Sequence, residues 1–363
     1  MDTKIKPSLP AHPLERDLWR YLQSSDKPIL MYGMGNGADK ILRVLCERGI
    51  EVSDFFASDG FVRGHQFHGK RVLSYSEAKE KYGSFIVLLA FGSSLDDVIN
   101  NIKKIASEQE LYAPDVPVCD GEIFDCEFYN AHYEEIQRAY NTLSDDISRE
   151  IYTSVINFKL TGDIRYLTDT VCDEGGELYD YSSFKICVDA GAYRGETAAE
   201  LIEKNPAIEK IYALEPDARS YKKLCAYAES ESRVVAVNCG AWSQESEGHF
   251  SGQGNRNSAF SSDGKILTKL DKIDNIIGED IPDYIKYDVE GCESEALDGS
   301  VMCIRAYHPS LLVCVYHRSE DIFSLVNKIS DDYDGYDLYL RRKKYIPAWD
   351  VYICATKKNE VTK

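Results

Sequence analysis

The sequence predicts an α/β protein of two units, and three observations carry that expectation. Short apolar runs rich in β-branched residues recur, at 28–32, 51–57 and 85–90 and again at 185–188, 210–214, 234–237 and 311–316. Segments with apolar residues three and four apart follow most of them, and strands alternating with helices build parallel sheets. Two of the strand-to-helix junctions are glycine turns, at 33–38 and 191–195. A length of 363 residues suits about two such units, and a composition 44% hydrophobic and 28% charged suits packed cores rather than disorder.

The first unit is expected over residues 1–125. It opens on an amphipathic helix at 13–24, with Leu14, Leu18, Trp19 and Leu22 on one face. The strand at 28–32 runs into Gly33-x-Gly35-x-x-Ala38, a dinucleotide fingerprint with alanine last. Asp59 follows Gly33 by 59 − 33 = 26 positions, later than the usual spacing of a ribose-binding acid, about 20. The turn reads as an NAD or nucleotide-sugar pocket, or as a Rossmann-like module that kept the turn and holds no cofactor. The segment also resembles the small N-terminal domains attached to sugar-modifying enzymes.

Residues 126–182 are expected to be a helical connector. Tyr133, Ile136, Ala139, Tyr140 and Leu143, then Ile147, Ile151, Val155, Phe158 and Leu160, mark two buried helical faces. Asp145 or Ser144 is placed to cap the second. The hairpin is expected to join the units and cover the cofactor cleft, with Tyr179 and Tyr181 in a lid; simple packing is the alternative.

The second unit, residues 183–363, holds the most informative stretch: Val188-Asp189-Ala190-Gly191-Ala192-Tyr193-Arg194-Gly195-Glu196-Thr197. Its glycines let the backbone approach a ligand, and the helix start offers unpaired N–H groups. The next strand ends in Glu215-Pro216-Asp217, 215 − 191 = 24 positions after Gly191. A carboxylate there can accept from both hydroxyls of a ribose. A phosphate-loop Gly-Lys-Ser/Thr and a third glycine at dinucleotide spacing are both missing. The ligand is therefore expected to be a nucleoside without a pyrophosphate, and S-adenosyl-L-methionine fits. Asp189, Gly191, Tyr193, Gly195, Thr197, Glu215, Pro216 and Asp217 are the candidate cofactor residues of these two junctions. Asn238, Gly240 and Ala241, at the end of the third strand, are placed where adenine would rest.

Further blocks sharpen the reading: Asn238-Cys239-Gly240-Ala241-Trp242-Ser243, Leu270-Asp271-Lys272-Ile273, Ile285-Lys286-Tyr287-Asp288-Val289-Glu290-Gly291-Cys292-Glu293 and Leu297-Asp298-Gly299. This series resembles the FkbM-type S-adenosylmethionine-dependent methyltransferase family, most specifically in Asp-Val-Glu-Gly-x-Glu. The resemblance runs over residues 140–356, about 60% of the chain. Tyr193 stands where a middle glycine is common. The resemblance implies a class I methyltransferase sheet, a terminal antiparallel strand pair at 336–340 and 349–355, and O-methylation of a hydroxyl on a sugar, glycan precursor or secondary metabolite. It also matches Trp349-Asp350 to an aromatic–acid pair of structural role.

For catalysis, Asp288 ends the fourth core strand, where ligands of α/β sheets sit, and Glu290 follows it. Asp288 is expected to orient donor or acceptor. His317, after the strand at 311–316, is the expected base, since an unperturbed imidazole near pKa ~6.5 abstracts protons close to neutrality. A hydrogen-bonded structural histidine is the competing reading. A metal on Asp288, Glu290 and His317 lacks a ligand-spacing signature, and none is expected.

The formal charge of −19, from 42 basic and 61 acidic residues, repels polyphosphate and disfavours nucleic-acid substrates. Arg341-Arg342-Lys343-Lys344 is the one dense basic run, read as a solvated hairpin turn, with a clamp for an anionic substrate as the alternative. The 11 cysteines are scattered without a Cys-x-x-Cys pair, which speaks against structural zinc. The N-terminus lacks an apolar signal core, and the longest apolar run, 85–91, is too short for a membrane span. A cytoplasmic setting and a small-molecule or glycan-type acceptor are expected; homo-oligomerisation stays open. The polar loop at 251–258 is a candidate for specificity. An NAD-dependent oxidoreductase or epimerase working through the first unit is the rival function, and a Tyr-x-x-x-Lys pair is not expected in that unit. A noncatalytic cofactor-binding module is the third reading.

Overall fold

The structure is a computed structural model and describes residues 6–62, 64, 66–119, 121–250 and 266–358. The polar loop at 251–258 lies outside the described residues.

The chain begins with helix α1 (Leu18–Ser24), shorter than the expected 13–24. Asp17 stops it at the N-terminus by accepting from the Arg20 N–H, and its other oxygen accepts from the Cys126 N–H. Strand β1 (Ile29–Tyr32), α2 (Asn36–Glu47) and β2 (Asp54–Ala57) follow. A small hairpin, β3 (Gln66–Phe67) and β4 (Lys70–Arg71), leads to β5 (Leu73–Ser74) and α3 (Tyr75–Tyr82), none of which the hydrophobic pattern had announced. Then come β6 (Ile86–Leu89), α4 (Asp96–Glu108) and β7 (Glu110–Tyr112). The five main strands form one parallel sheet in the order β5-β2-β1-β6-β7.

Four helices connect this sheet to the next: α5 (Cys126–Ala131), α6 (Tyr133–Thr142), α7 (Asp146–Thr161) and α8 (Arg165–Thr168). Asp145 caps α7, accepting from Ser148 N–H at 2.7 Å. Ser144 instead exchanges hydrogen bonds with Leu338.

The second unit runs β8 (Ile186–Ala190), α9 (Glu196–Lys204), β9 (Lys210–Leu214), α10 (Ala218–Ser230) and β10 (Val234–Val237). A side sheet of β11 (Gly240–Ala241), β12 (Ser246–Phe250) and β13 (Ile266–Asp271) follows, then α11 (Ile273–Ile277). The main sheet resumes with β14 (Tyr284–Tyr287), α12 (Glu293–Asp298), α13 (Val301–Tyr307), β15 (Ser310–Cys314) and α14 (Asp321–Asp332), and ends with β16 (Tyr336–Arg342) and β17 (Val351–Lys357). Its order is β10-β9-β8-β14-β15-β17-β16, parallel except for β17, which runs antiparallel to both β15 and β16. This mixed sheet resembles a class I methyltransferase core.

Strand alternation divides the interior into layers. In β1, Ile29 and Met31 face a cluster with α1 and α2, while Leu30 and Tyr32 face a second core. That second core is continuous from the first sheet through Tyr129, Tyr152 and Phe158 of the connector to Val188, Tyr287 and Leu311 of the second sheet. The connector helices are thus shared core. They do not cover the cleft described below, contrary to the expectation of a lid; of the connector, only the segment beyond α8 borders it, through Glu174, Gly176, Tyr179 and Tyr181.

The first half of the basic run also departs from expectation, while Lys343 and Lys344 are exposed beyond the strand as expected. Arg341 and Arg342 are buried at the end of β16 rather than solvated in a turn. Arg341 reaches Asp145 at 2.6 Å and Ser148 at 2.8 Å. Arg342 donates to the carbonyls of Leu167 and Val171. Both therefore tie the connector to the sheet, because a buried guanidinium must spend its donors on acceptors. Among the described residues no helix is long and apolar enough to cross a membrane.

Candidate active site

The carboxyl ends of β8, β9, β10, β14 and β15 carry the Gly191 turn, Glu215, Asn238, Asp288 and His317 in that order. Strand order and parallel direction bring all five to one edge. Against this edge opens a cleft of about 450 Å³, within the range of small-ligand sites.

Gly191, Tyr193, Thr197, Glu215, Pro216, Asp217, Gly240, Ala241, Asp288 and Glu290 line it. Gly191 has φ +89°, and a Cβ there would stand 1.9 Å from the Asp288 carbonyl oxygen, so only glycine fits. Tyr193 also adopts a positive φ, +50°, and its N–H donates to Glu215 at 2.8 Å. The other Glu215 oxygen accepts from Asp217 N–H at 2.7 Å. Burial pushes the Glu215 carboxyl up to about 7, although these backbone donors pull it down.

Three expected cofactor residues sit behind the wall instead. Gly195 starts α9 with φ +96° and lies against the Tyr227 ring, 2.6 Å from a built Cβ. The Asn238 amide donates to the carbonyls of Glu215 and Pro216 and fixes the end of β9. Asp189 is fully buried, with one oxygen 3.3 Å from Lys286 Nζ and the other without a hydrogen-bond partner.

Lys286, unassigned from sequence, borders the cleft between Asp189 and Asp288, 3.2 Å from the latter. The sign of its importance was a lysine inside an apolar parallel strand. Burial alone would raise the Asp288 carboxyl; Lys286 and then His317 outweigh it and hold it at about 2. Tyr316 donates to Asp288 at 3.2 Å.

His317 is fully buried and does not border the cleft. Its Nδ1 lies 3.0 Å from Glu293 Oε1; its Nε2 lies 3.5 Å from Asp288 and 3.6 Å from Glu290. Burial would lower the imidazole, but the charges of Glu293, Glu290 and Asp288 outweigh it and push it up to about 10. These carboxylates favour the protonated imidazole, and its burial behind the cleft wall places it away from any acceptor, whereas it was expected to act as the base. Ligand atoms of Glu293, His317 and Asp321 lie within 4.8 Å of one another, close enough to hold a metal ion. Glu290, by contrast, lines the cleft, and burial pushes its carboxyl up to about 7 against the pull of His317. Its φ is +53°, and the Cys119 Sγ meets its carbonyl at 2.9 Å.

The first unit's glycine turn is differently furnished. The Phe91 ring would lie 2.7 Å from a Cβ on Gly33. Asp59 accepts from Ser76 N–H and Oγ at the start of α3 and is thus engaged in the fold. A Tyr-x-x-x-Lys pair does occur, Tyr75 and Lys79 on α3, and both side chains are engaged by Glu108.

Comparison with known proteins then decides the family. The profile described as Methyltransferase FkbM domain matches residues 189–347, a span holding every cofactor and catalytic candidate above. Residues 189–347 form a methyltransferase FkbM domain. The chain carries an S-adenosylmethionine-dependent methyltransferase domain of the FkbM type, preceded by an N-terminal α/β extension. Over both units the fold is similar to that of methyltransferase FkbM from Methylobacillus flagellatus KT: 22% identity, 91% of this chain and 90% of that chain covered, TM-score 0.70. An rRNA methylase from Streptococcus thermophilus is 14% identical over 49% of this chain and 89% of its own, with TM-score 0.33. Aeropyrum pernix fibrillarin is 12% identical over 50% of this chain and 70% of its own, also at 0.33. No curated protein matches the chain.

The residues of the FkbM domain fit a nucleoside with a charged amino-acid end. Glu215 offers a carboxyl at ribose position and Gly191 leaves room for close approach.

Proposed function

We propose that this enzyme O-methylates a hydroxyl of a sugar, glycan precursor or related small molecule, with Glu290 as the base. The observation that carries this reading is the position of Glu290, a carboxyl that lines the cleft 3.6 Å from the buried His317 imidazole, where burial raises it toward neutrality. A general base works best when its pKa lies near the operating pH.

In this reading Glu215 holds the ribose hydroxyls, Asp217, Gly240 and Ala241 frame the adenine end, and the 191–197 turn receives the amino-acid end. When bound, S-adenosylmethionine supplies a methyl group on a positively charged sulfur. Glu290 accepts the proton that leaves the acceptor hydroxyl. His317 does not touch the acceptor; its charge stops Glu290 from rising further and holds Asp288 ionised. Asp288, fixed by Lys286 and Tyr316, orients the reacting groups. Eight carboxylates border the cleft, including Glu174, Glu196, Glu200 and Asp350, against Lys204, Lys286 and Lys343, a balance that favours neutral acceptors over phosphorylated ones. The division into a first unit at 1–125, a connector at 126–182 and a methyltransferase domain at 183–363 belongs to the same proposal.

The test is methyl turnover. Purified protein with S-adenosylmethionine and a panel of neutral methyl glycosides should release S-adenosylhomocysteine. Substrate-dependent loss of nicotinamide absorbance with NAD(P)H, and no methyl turnover, would support the oxidoreductase reading instead.

A further inference from the structure

The strand-to-helix turn after β6 is packed against the far wall of the cleft. Ser93 forms an antiparallel bridge with Ile346: its N–H donates to the Ile346 carbonyl at 2.9 Å, and the Ile346 N–H returns a bond at 3.1 Å. Lys344 pairs with Asp96 at the start of α4. Between these links, Gly92 faces two rings. A Cβ on it would stand 2.6 Å from Tyr345 Cε1 and 2.8 Å from Trp349 Cζ3. Tyr345, Trp349 and Asp350 border the cleft, and the two rings lie 5.6 Å apart, tilted by 31°. The aromatic wall therefore belongs to the second unit but takes its position from the first.

We propose that this turn is the specificity element of the acceptor end: Gly92 sets where the Tyr345–Trp349 wall stands, and the wall receives the ring of a neutral glycoside. The inference rests on the proposed methyl transfer in this cleft and adds to it the reason for the first unit. Aromatic faces pack against the apolar faces of a ring, and the Asp350 carboxylate beside them is an acceptor for hydroxyls. Gly92 does not adopt a positive φ, so alanine strains no backbone there. The added methyl can be accommodated only by moving the rings.

The experiment compares wild type with Gly92→Ala, Trp349→Phe and the double variant. It measures kcat and KM over neutral methyl glycosides and their phosphate esters, S-adenosylhomocysteine affinity by calorimetry, and Tm. Neutral glycosides should turn over and the phosphate esters should not. Gly92→Ala should raise acceptor KM about tenfold and reorder the glycosides, because small misplacements of a bound group are costly. Its product affinity and Tm should stay at wild-type values, and its effect should be non-additive with Trp349→Phe. An unchanged KM profile in Gly92→Ala overturns the proposal while leaving methyl transfer intact. Parallel loss of Tm, product affinity and kcat without reordering also overturns it, since that is a structural effect. If wild type binds S-adenosylhomocysteine but methylates no glycoside, the sugar reading fails and this subsite with it.

Discussion

His317 and Glu293 form a fully buried ion pair, with Nδ1 3.0 Å from Oε1, directly behind the catalytic edge. Glu293 starts α12 and also accepts from the Val289 N–H at 2.9 Å, so the pair ties the end of β15 to the loop that carries Asp288 and Glu290. The Nε2 of His317, on its other side, lies 3.5 Å from Asp288 and 3.6 Å from Glu290, close enough for its charge to shift both carboxyls.

Removing that cation should move the chemistry of Glu290. His317→Gln deletes the charge that lowers the Glu290 carboxyl, so the rising limb of the pH–rate profile should shift to higher pH. The variant also leaves Glu293 as an unpaired buried charge, a loss of about 3–5 kcal/mol that should appear in Tm. An unshifted pH profile in a folded variant would remove His317 from the tuning role.

Glu290→Gln should lower kcat by about 10²–10⁴, the usual contribution of a positioned base. Affinity for S-adenosylhomocysteine should change little, because Glu215 and the glycine turn carry that binding. In wild type kcat should rise with pH through about 7 as Glu290 loses its proton. Full activity in Glu290→Gln would leave proximity alone to explain the rate.

Glu215→Ala should weaken S-adenosylhomocysteine binding by about 1–3 kcal/mol, the loss of charge-assisted hydrogen bonds. Because burial lifts this carboxyl to about 7, wild-type affinity should also fall as pH drops below 7 and the carboxylate is protonated. Calorimetry at pH 6 and 8 measures the difference; equal affinities would take Glu215 out of the ribose site.

Stability should be greatest at mildly acidic pH. Folding raises His317 from 6.5 to about 10, so its contribution is fully present below 6.5 and is lost as pH rises through 10. Glu215, Glu290 and Asp321 are raised from 4.5, 4.5 and 3.8 to about 7, so stability falls as pH rises from those ordinary values to 7 and stays lost above it. Asp288, held at about 2, acts the opposite way and matters only below its ordinary range. Tm measured from pH 5 to 10 should therefore fall, and a rise across that range would contradict the buried-cation assignment.

The sequence by itself determined the order of the main elements and the glycine turn and acid of one βαβ unit. Strands 210–214 and 234–237 stand where their apolar runs placed them, and the terminal antiparallel pair follows its expected pattern. Gly191 and Glu215 were legible because backbone approach and ribose recognition demand a residue type at a spacing along one βαβ unit. Short β3, β4 and β5 were not, since two-residue strands carry no period. Only the tertiary structure decided what depends on long-range neighbours. An imidazole's charge state is set by the carboxylates around it, and Glu293, Glu290 and Asp288 reach His317 across 24 to 29 residues. Arg341 and Arg342 read as solvated because their acceptors, Asp145, Ser148, Leu167 and Val171, lie more than 170 residues away. Likewise the wall at Tyr345 and Trp349 is set by Gly92, some 250 residues earlier, through a steric contact that leaves no local mark in the chain.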